Sequence, residues 1–480
     1  MAAQQKESKY SLRDKRLPLL GSYTNRGSSG SKDQRFINIF PETRKVEAIE
    51  STRIYLNKRP GLTLYKTIAV GTGRGLAWFR NKYYIAIDNK IYEDGATPTA
   101  VITLSNSTGK VGMMVANSAS IGDYLFICDG IAGWIINSAG AVTAITDVDF
   151  PTPHIPIPTF IDGYIILIKG SDLYNSTVDT PTSWASGEYI TAEMFPDPVV
   201  ALCRQNNQIA ALGSSSVEFF YDAANPSGSP LTRNEATAIQ IGCAFPNTVY
   251  QNEQTFMFVG QSDSGGRAVW QVTGFQPKKI SDEFIERILD AETSPSTCIG
   301  FGFRTMGHLF LLINLPTLNR TFLYDVEEKL WHEWSTNVAN AHTVFQCNYM
   351  VDSGIGKITL LHNTNGSLYY LDPTVYTDNG TAILCEIVTN KYDMDTYKRK
   401  FMSCVLPIAD RSPTGNYITM RWSDDDYQTW TSPKTITLTD DFPSFARLGS
   451  FRRRAFNIKH DQPYELRLEA LQVFYYEGDH

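Results

Sequence analysis

Three consecutive carboxylates, Asp424, Asp425 and Asp426, lie between a serine and the aromatic-rich residues 427–430 (YQTW). Clustered acids of this kind can hold a hard cation such as Ca²⁺, or they can accept backbone hydrogen bonds inside a tight turn. Two basic runs form a second constellation: Lys398, Arg399 and Lys400, then Arg452, Arg453 and Arg454. Tyr397, Phe401, Phe451 and Phe456 flank them. Cations beside rings can grip phosphate and stack on bases. The plainer reading is an edge strand facing solvent or protein, where charge also blocks unwanted sheet pairing.

Other chemistry is poorly supported. The seven histidines (His154, His308, His332, His342, His362, His460, His480) never form HxH or HExxH, so a metal site is not expected. Seven cysteines at wide intervals include no CxxC; they read as small core residues in a reducing compartment. Residues 27–32 (GSSGSK) lack the spacing of a phosphate-cradling loop, and the glycine-rich 71–75 (GTGRG) opens no expected helix and reads as a turn between strands. Residues 213–216 (GSSS) lack the closing glycine of a nucleophile elbow. No catalytic residue, cofactor or metal is assigned.

The stretch 423–430 resembles the Asp-box of sialidase-like propellers, a hairpin turn whose Asp accepts backbone hydrogen bonds while the Trp packs beneath. Here Tyr427 replaces the usual glycine, and the stretch occurs once. A turn-stabilising role is expected, ahead of a Ca²⁺ or sugar site.

The elements that carry these residues follow from composition and repetition. The chain has 480 residues, 42% hydrophobic and 19% charged, which is a core-forming composition. Tyr and Phe, at 25 each, favour strands. A net charge of −7 argues against a nucleic-acid binder that relies on a large basic surface. No apolar run approaches the length of a membrane helix, and residues 1–20 are polar with no apolar signal core, so neither membrane nor secretory pathway is expected.

A unit recurs through the middle of the chain: a dense apolar run, a turn, then a strand containing an aromatic. Anchored at Tyr83, Tyr124, Tyr164, Gln208, Thr255, His308 and Lys357, the copies are spaced by 41, 40, 44, 47, 53 and 49 residues. That length suits four short strands, the content of a propeller blade. The runs are continuous rather than alternating, as for strands covered on both faces. Polar turns such as Asp129-Gly130, Asp162-Gly163 and Asn365-Gly366 separate them. The fold class is therefore mainly β: a β-propeller of six or seven blades at 62–376. A β-sandwich-like platform is built from an N-terminal arm at 1–61 and a C-terminal segment at 377–480. An ordinary multi-sheet β protein is the competing architecture.

One helix interrupts the pattern. Ser281 can cap it, Asp282 and Glu283 favour its start, and Phe284, Ile285, Ile288 and Leu289 make one apolar face for packing outside a blade. Residues 25–32 (NRGSSGSK) read as a flexible stretch.

Several stretches together resemble the tail hub or nozzle proteins of short-tailed bacteriophages, including those called packaged-DNA stabilisation proteins. They are 35–42 (RFINIFPE), 57–62 (NKRPGL), 211–221 (ALGSSSVEFFY), 277–286 (PKKISDEFIE), 421–425 (RWSDD) and 447–454 (RLGSFRRR). The resemblance implies a structural virion protein, made in the host cytoplasm, that forms a homohexameric ring below the portal, gives DNA its exit channel and helps retain packaged DNA. Its partners would be further copies of itself, the head-to-tail adaptor, a tail fibre or spike, and a needle or plug. Double-stranded DNA would pass through the lumen without sequence-specific binding. Lys58, Arg59, Arg452, Arg453 and Arg454 are the candidate ring or adaptor contacts. The alternatives are a propeller glycosidase or lectin for host polysaccharide, and a bacterial propeller scaffold with no phage link.

Overall fold

A computed structural model describes residues 12–20, 34–46, 51–252, 254–262, 265–354, 356–412 and 415–478. The stretch 25–32 and His480 lie outside the described residues. The chain divides into two units, one of residues 63–326 with 344–371, the other of 1–62, 327–343 and 372–480.

The first unit is a β-propeller assembled from seven successive antiparallel sheets. The first holds Gly73–Phe79, Lys82–Ile87, Lys90–Glu93 and Thr99–Thr103. The second holds Gly112–Ser118, Gly122–Cys128, Gly133–Asn137 and Val142–Ala144. Ile155–Ile161 opens the third, Val199–Gln205 the fourth, and Gly242–Cys243 with Tyr250–Asn252 the fifth. Ile299–Thr305 opens the sixth and Cys347–Asp352 the seventh. The opening strands touch in this order, and Cys347–Asp352 returns to lie beside Gly73–Phe79, so the circle closes. Gly61–Thr67, from before the first sheet, is the fourth strand of the seventh. There Ile68 N–H donates to Gly366 O at 3.1 Å, and Thr67 Oγ1 lies 2.9 Å from Ser367 Oγ. Gly366 has φ +61°, and a Cβ there would fall 1.8 Å from Ala69 O, so this closure requires glycine.

The alternation of a strand explains the continuous apolar runs. In Lys82–Ile87, Tyr84 and Ala86 join a cluster with Leu125 and Ile127 of the second sheet. Tyr83, Ile85 and Ile87 point the other way, to Leu361 and Leu368 of the seventh. Tyr124, Phe126 and Cys128 similarly meet Ile165 and Leu167 of the third sheet, whose Ile166 and Ile168 meet Leu202 and Ile209 of the fourth. The first three sheets are thus glued on both faces.

The helix Glu283–Ala291 packs on Arg267–Thr273 of the fifth sheet and buries Ile285 and Leu289. Its cap is Asp282, which accepts from Phe284 N and Ile285 N at 3.1 and 2.9 Å, rather than the expected Ser281. Ser281 Oγ is held by Val269 N–H at 3.1 Å, one residue too early to cap.

The second unit is a β-sandwich-like platform. In one sheet Arg467–Glu477 is central, pairing with Arg13–Pro18, Ser51–Lys58 and Lys400–Ala409. The other runs Leu330–Trp334, Arg35–Ile37, Cys385–Val388, Ala455–His460, Tyr417–Ser423 and Lys434–Thr437. Leu17, Phe36, Leu56, Ile387, Val405, Met420, Phe456 and Leu471 share the core between them. The segment Glu327–Thr343 thus belongs to the platform, and both chain ends contribute strands.

Candidate functional site

The platform gathers the basic residues singled out in the sequence, but it uses them in two ways. Arg59 is fully buried. Its Nη1 and Nη2 donate to Asp378 Oδ1 and Oδ2 at 2.9 and 2.6 Å, a two-pronged ion pair. Nε donates to Asn38 Oδ1 at 2.8 Å and Nη2 to Ser335 O at 2.9 Å, with the Trp334 ring 5.4 Å away. One side chain thereby ties four separate segments together.

Lys58 is also buried. Nζ donates to Gln462 O at 2.6 Å and stands 3.4 Å from His460 Nδ1. Burial lowers the Lys58 pKa. Burial, together with the Lys58 charge, pushes His460 down to about 2, so the imidazole is neutral. His460 Nε2–H then donates to Asn416 Oδ1 at 2.7 Å while Nδ1 accepts from Lys58.

The run Arg452, Arg453 and Arg454 is split by burial. Arg454 points inward, with Nε and Nη2 on the two oxygens of Asp424 at 2.7 and 2.8 Å and Nη1 on Leu448 O at 2.8 Å. Phe451 and Trp422 lie 4.5 and 5.3 Å from its guanidinium carbon. Arg452 is exposed beside Tyr397, and Arg453 is half-buried with Nη2 3.1 Å from Asp426 Oδ2. The expectation that Lys58, Arg59 and Arg454 make ring or adaptor contacts therefore needs correction. Buried cations with filled hydrogen bonds cannot reach another chain without opening the platform. In the other basic run Lys400 is buried on Asp393 O at 2.6 Å, while Lys398 is exposed, 3.6 Å from Glu477.

Residues 423–430 fold as the expected turn. Asp425 Oδ1 accepts from Thr429 N at 2.9 Å, Gln428 N at 3.1 Å and Ser423 Oγ at 2.8 Å. The Thr429 hydroxyl and amide, with Ser423, hold its carboxyl down at about 2. Tyr427, at φ 67°, sends its hydroxyl to Thr389 O at 2.9 Å, and Trp430 packs beside Val388 and Ala455. Asp426 takes Lys391 at 2.9 Å. All three carboxylates are thus engaged by their own chain.

Sequence reasoning missed Glu386. It accepts from Asn457 Nδ2 at 2.7 Å and lies 3.1 Å from His342 Nε2, 3.5 Å from Lys459 and 3.8 Å from Arg421. Burial alone would raise its pKa, but His342, Lys459 and Asn457 override that and hold it at about 2. The available signal was a lone acid inside the apolar run 382–388 (AILCEIV).

A protein-family model described as "Bacteriophage P22 Gp10, beta-propeller" matches residues 16–376. The chain belongs to this bacteriophage family. The closed ring of sheets agrees with the β-propeller named there. No curated protein matches the chain. Among solved structures, virginiamycin B lyase from Staphylococcus aureus is 12% identical, covers 66% of this chain and 99% of its own, and has a TM-score of 0.41. The N-terminal domain of Nup159 is 10% identical over 70% of this chain and 97% of its own, with a TM-score of 0.39. PorZ of Porphyromonas gingivalis is 11% identical over 78% of this chain and 46% of its own, at 0.39. Nothing of those proteins' roles transfers to this chain.

Proposed function

We propose that the chain is a structural, non-enzymatic component of a bacteriophage tail. It forms a homohexameric nozzle below the portal and its adaptor, around the channel by which DNA leaves. The observation that carries this reading is the family match over 16–376, on a chain whose sheets close into a ring. A closed propeller supplies stiff walls, and its loops supply docking sites for fibre or spike and plug. Six copies at −7 each would carry −42, which disfavours adhesion of DNA phosphate to the ring. With Lys58, Arg59 and Arg454 internal, the remaining basic contacts are Arg452 and Arg453. Exposed Tyr397, Phe401 and Tyr476 lie in the same part of the platform, the last two paired across neighbouring strands.

Native mass spectrometry and electron microscopy of the purified protein test this reading. Rings of six are expected, with weak DNA retention at physiological salt. Arg452→Glu combined with Arg453→Glu is expected to shift the population toward monomer. A wild-type chain that stays monomeric at every concentration, and is absent from purified tails, overturns the proposal.

A further inference from the structure

Turns of the fourth and fifth sheets of the propeller enclose a cavity of about 360 Å³ that the nozzle role does not use. The fourth sheet supplies the turn 205–208 (QNNQ), between Val199–Gln205 and Gln208–Gly213, and Tyr221 from Val217–Asp222. The fifth sheet supplies Gly274 and Phe275, the turn between Arg267–Thr273 and Gln276–Lys279.

The walls are held by the chain around them. Arg204 braces the first turn, donating from Nε to Asn206 O at 3.0 Å and from Nη2 to Asn207 Oδ1 at 3.1 Å. Asn207 Nδ2 donates to Asp162 Oδ2 at 3.2 Å, so that amide is filled at both ends. Gln205 Nε2 donates to Gln254 O at 2.8 Å, which ties the fourth sheet to the fifth. The Phe275 ring stands edge-on to the buried Phe219, with centroids 4.9 Å apart.

Two features select the occupant. No carboxylate, ammonium or guanidinium lines the cavity, so a charged ligand would meet no counter-ion there. The amides, in contrast, leave acceptors over. Gln205 is buried, and with Nε2 held by Gln254 O its Oε1 receives no donor. Gln208 Oε1 is a second buried acceptor without a donor, and the Gln208 amide makes no hydrogen bond among the described residues. Gln208 is half-buried, so turning its amide toward an occupant breaks no bond. Unpaired buried acceptors are costly, and an occupant carrying O–H donors relieves them. Tyr221 and Phe275, both exposed, add two aromatic rings to the same cavity.

We propose that this cavity binds one neutral sugar ring, with Gln208 and Gln205 accepting from its hydroxyls and Tyr221 and Phe275 against its C–H face. A pyranose carries a belt of hydroxyls and an apolar face on one ring, which is the combination the walls offer. An amide presents a donor beside an acceptor and so matches two neighbouring hydroxyls. The electron-rich face of an aromatic ring attracts the positive ends of C–H dipoles. A nucleotide would bring a phosphate that nothing here neutralises. The volume lies at the small end of the range of about 300–1,000 Å³ usual for small-ligand sites, which suits a single ring. That ring can be a free sugar or one unit of a polysaccharide.

The test is saturation-transfer NMR on the full-length chain with the methyl glycosides of glucose, galactose, mannose and N-acetylglucosamine. At least one is expected to bind with Kd of about 10 mM or tighter. Cyclohexylmethanol, which keeps an apolar ring but loses the belt of hydroxyls, is expected to bind at least about ten-fold more weakly. Gln208→Met is expected to weaken the sugar by about ten-fold or more without lowering Tm, since it removes an unpaired acceptor. Should that variant fail to fold, the contrast between sugar and cyclohexylmethanol on the native chain still decides. A trisaccharide of the sugar that binds, held at least as tightly, assigns a polysaccharide unit; binding of the single ring alone assigns a free sugar. No saturation transfer to any of the four up to about 50 mM, equal binding of cyclohexylmethanol, or unchanged binding by Gln208→Met overturns the proposal. The proposal stands or falls independently of ring formation.

Discussion

The propeller and the platform hold together by different means. In the propeller most partners are near in sequence: Tyr84 pairs with Glu93, Leu125 with Ile136, and the glue between sheets is apolar. In the platform, partners come from opposite ends of the chain, as when Leu17 pairs with Leu471, and Lys58 meets His460 at a separation of 402 residues. Among the described residues five cationic side chains are buried; Lys58, Arg59, Lys400 and Arg454 belong to the platform and only Arg74 to the propeller. Apolar contact is non-directional and suffices where short turns already set the register. Joining distant segments leaves many registers open, and a buried cation with matched acceptors penalises every wrong one.

The contrast can be broken most sharply at Arg59. Arg59→Ala leaves Asp378 unpaired and should destabilise the platform by about 3–5 kcal/mol. Hydrogen-exchange mass spectrometry should show faster exchange in Arg467–Glu477, with Lys82–Ile87 unchanged. Faster exchange throughout both units would show that the two are one cooperative body. The reciprocal change, Phe126→Ala, empties the cluster between the second and third sheets at a cost of about 3–5 kcal/mol. The same assay should place its effect in the propeller alone.

Acid should act on the platform through Glu386. Its folded pKa of about 2 lies below the ordinary 4.5, so its stabilisation is complete above pH 4.5 and lost as pH falls toward 2. The loss is on the order of 3 kcal/mol, because each tenfold change in proton affinity is worth roughly 1.4 kcal/mol. Denaturation midpoints across that window should slope in the wild type and flatten in Glu386→Gln. Smaller again is Asp282→Ala, which removes the helix cap and should cost about 1 kcal/mol by chemical denaturation, all of it in the propeller. Smallest is Arg452→Ala, expected to change stability by less than about 0.5 kcal/mol in the same measurement. Arg454→Ala, two positions on, should be strongly destabilising.

The repeat was legible because its signal is local. Six of the seven anchors fall within the second strand of successive sheets, and Lys357 immediately precedes the seventh, Ile358–His362. A strand covered on both faces must be apolar at every position, and that pattern survives in one dimension. The turn at 423–430 was legible for the same reason, since Asp425, Gln428 and Thr429 are neighbours in sequence. The helix cap slipped by one residue because Ser281 and Asp282 both carry cap chemistry and a distant amide, Val269 N–H, claimed the serine.

The amino-acid sequence by itself determined the β class, the forty-to-fifty-residue unit and the positions of its turns, all of which depend on residues close along the chain. Tertiary structure alone decided that Arg454 turns inward while Arg452 faces water, that Lys58 and Arg59 serve the interior, and that Glu386 anchors a charge cluster. It also decided that Gly61–Thr67 completes the seventh sheet. Those outcomes depend on which distant groups arrive opposite each side chain. A cation's burial is set by the acceptors that meet it, and those acceptors lie far away in sequence.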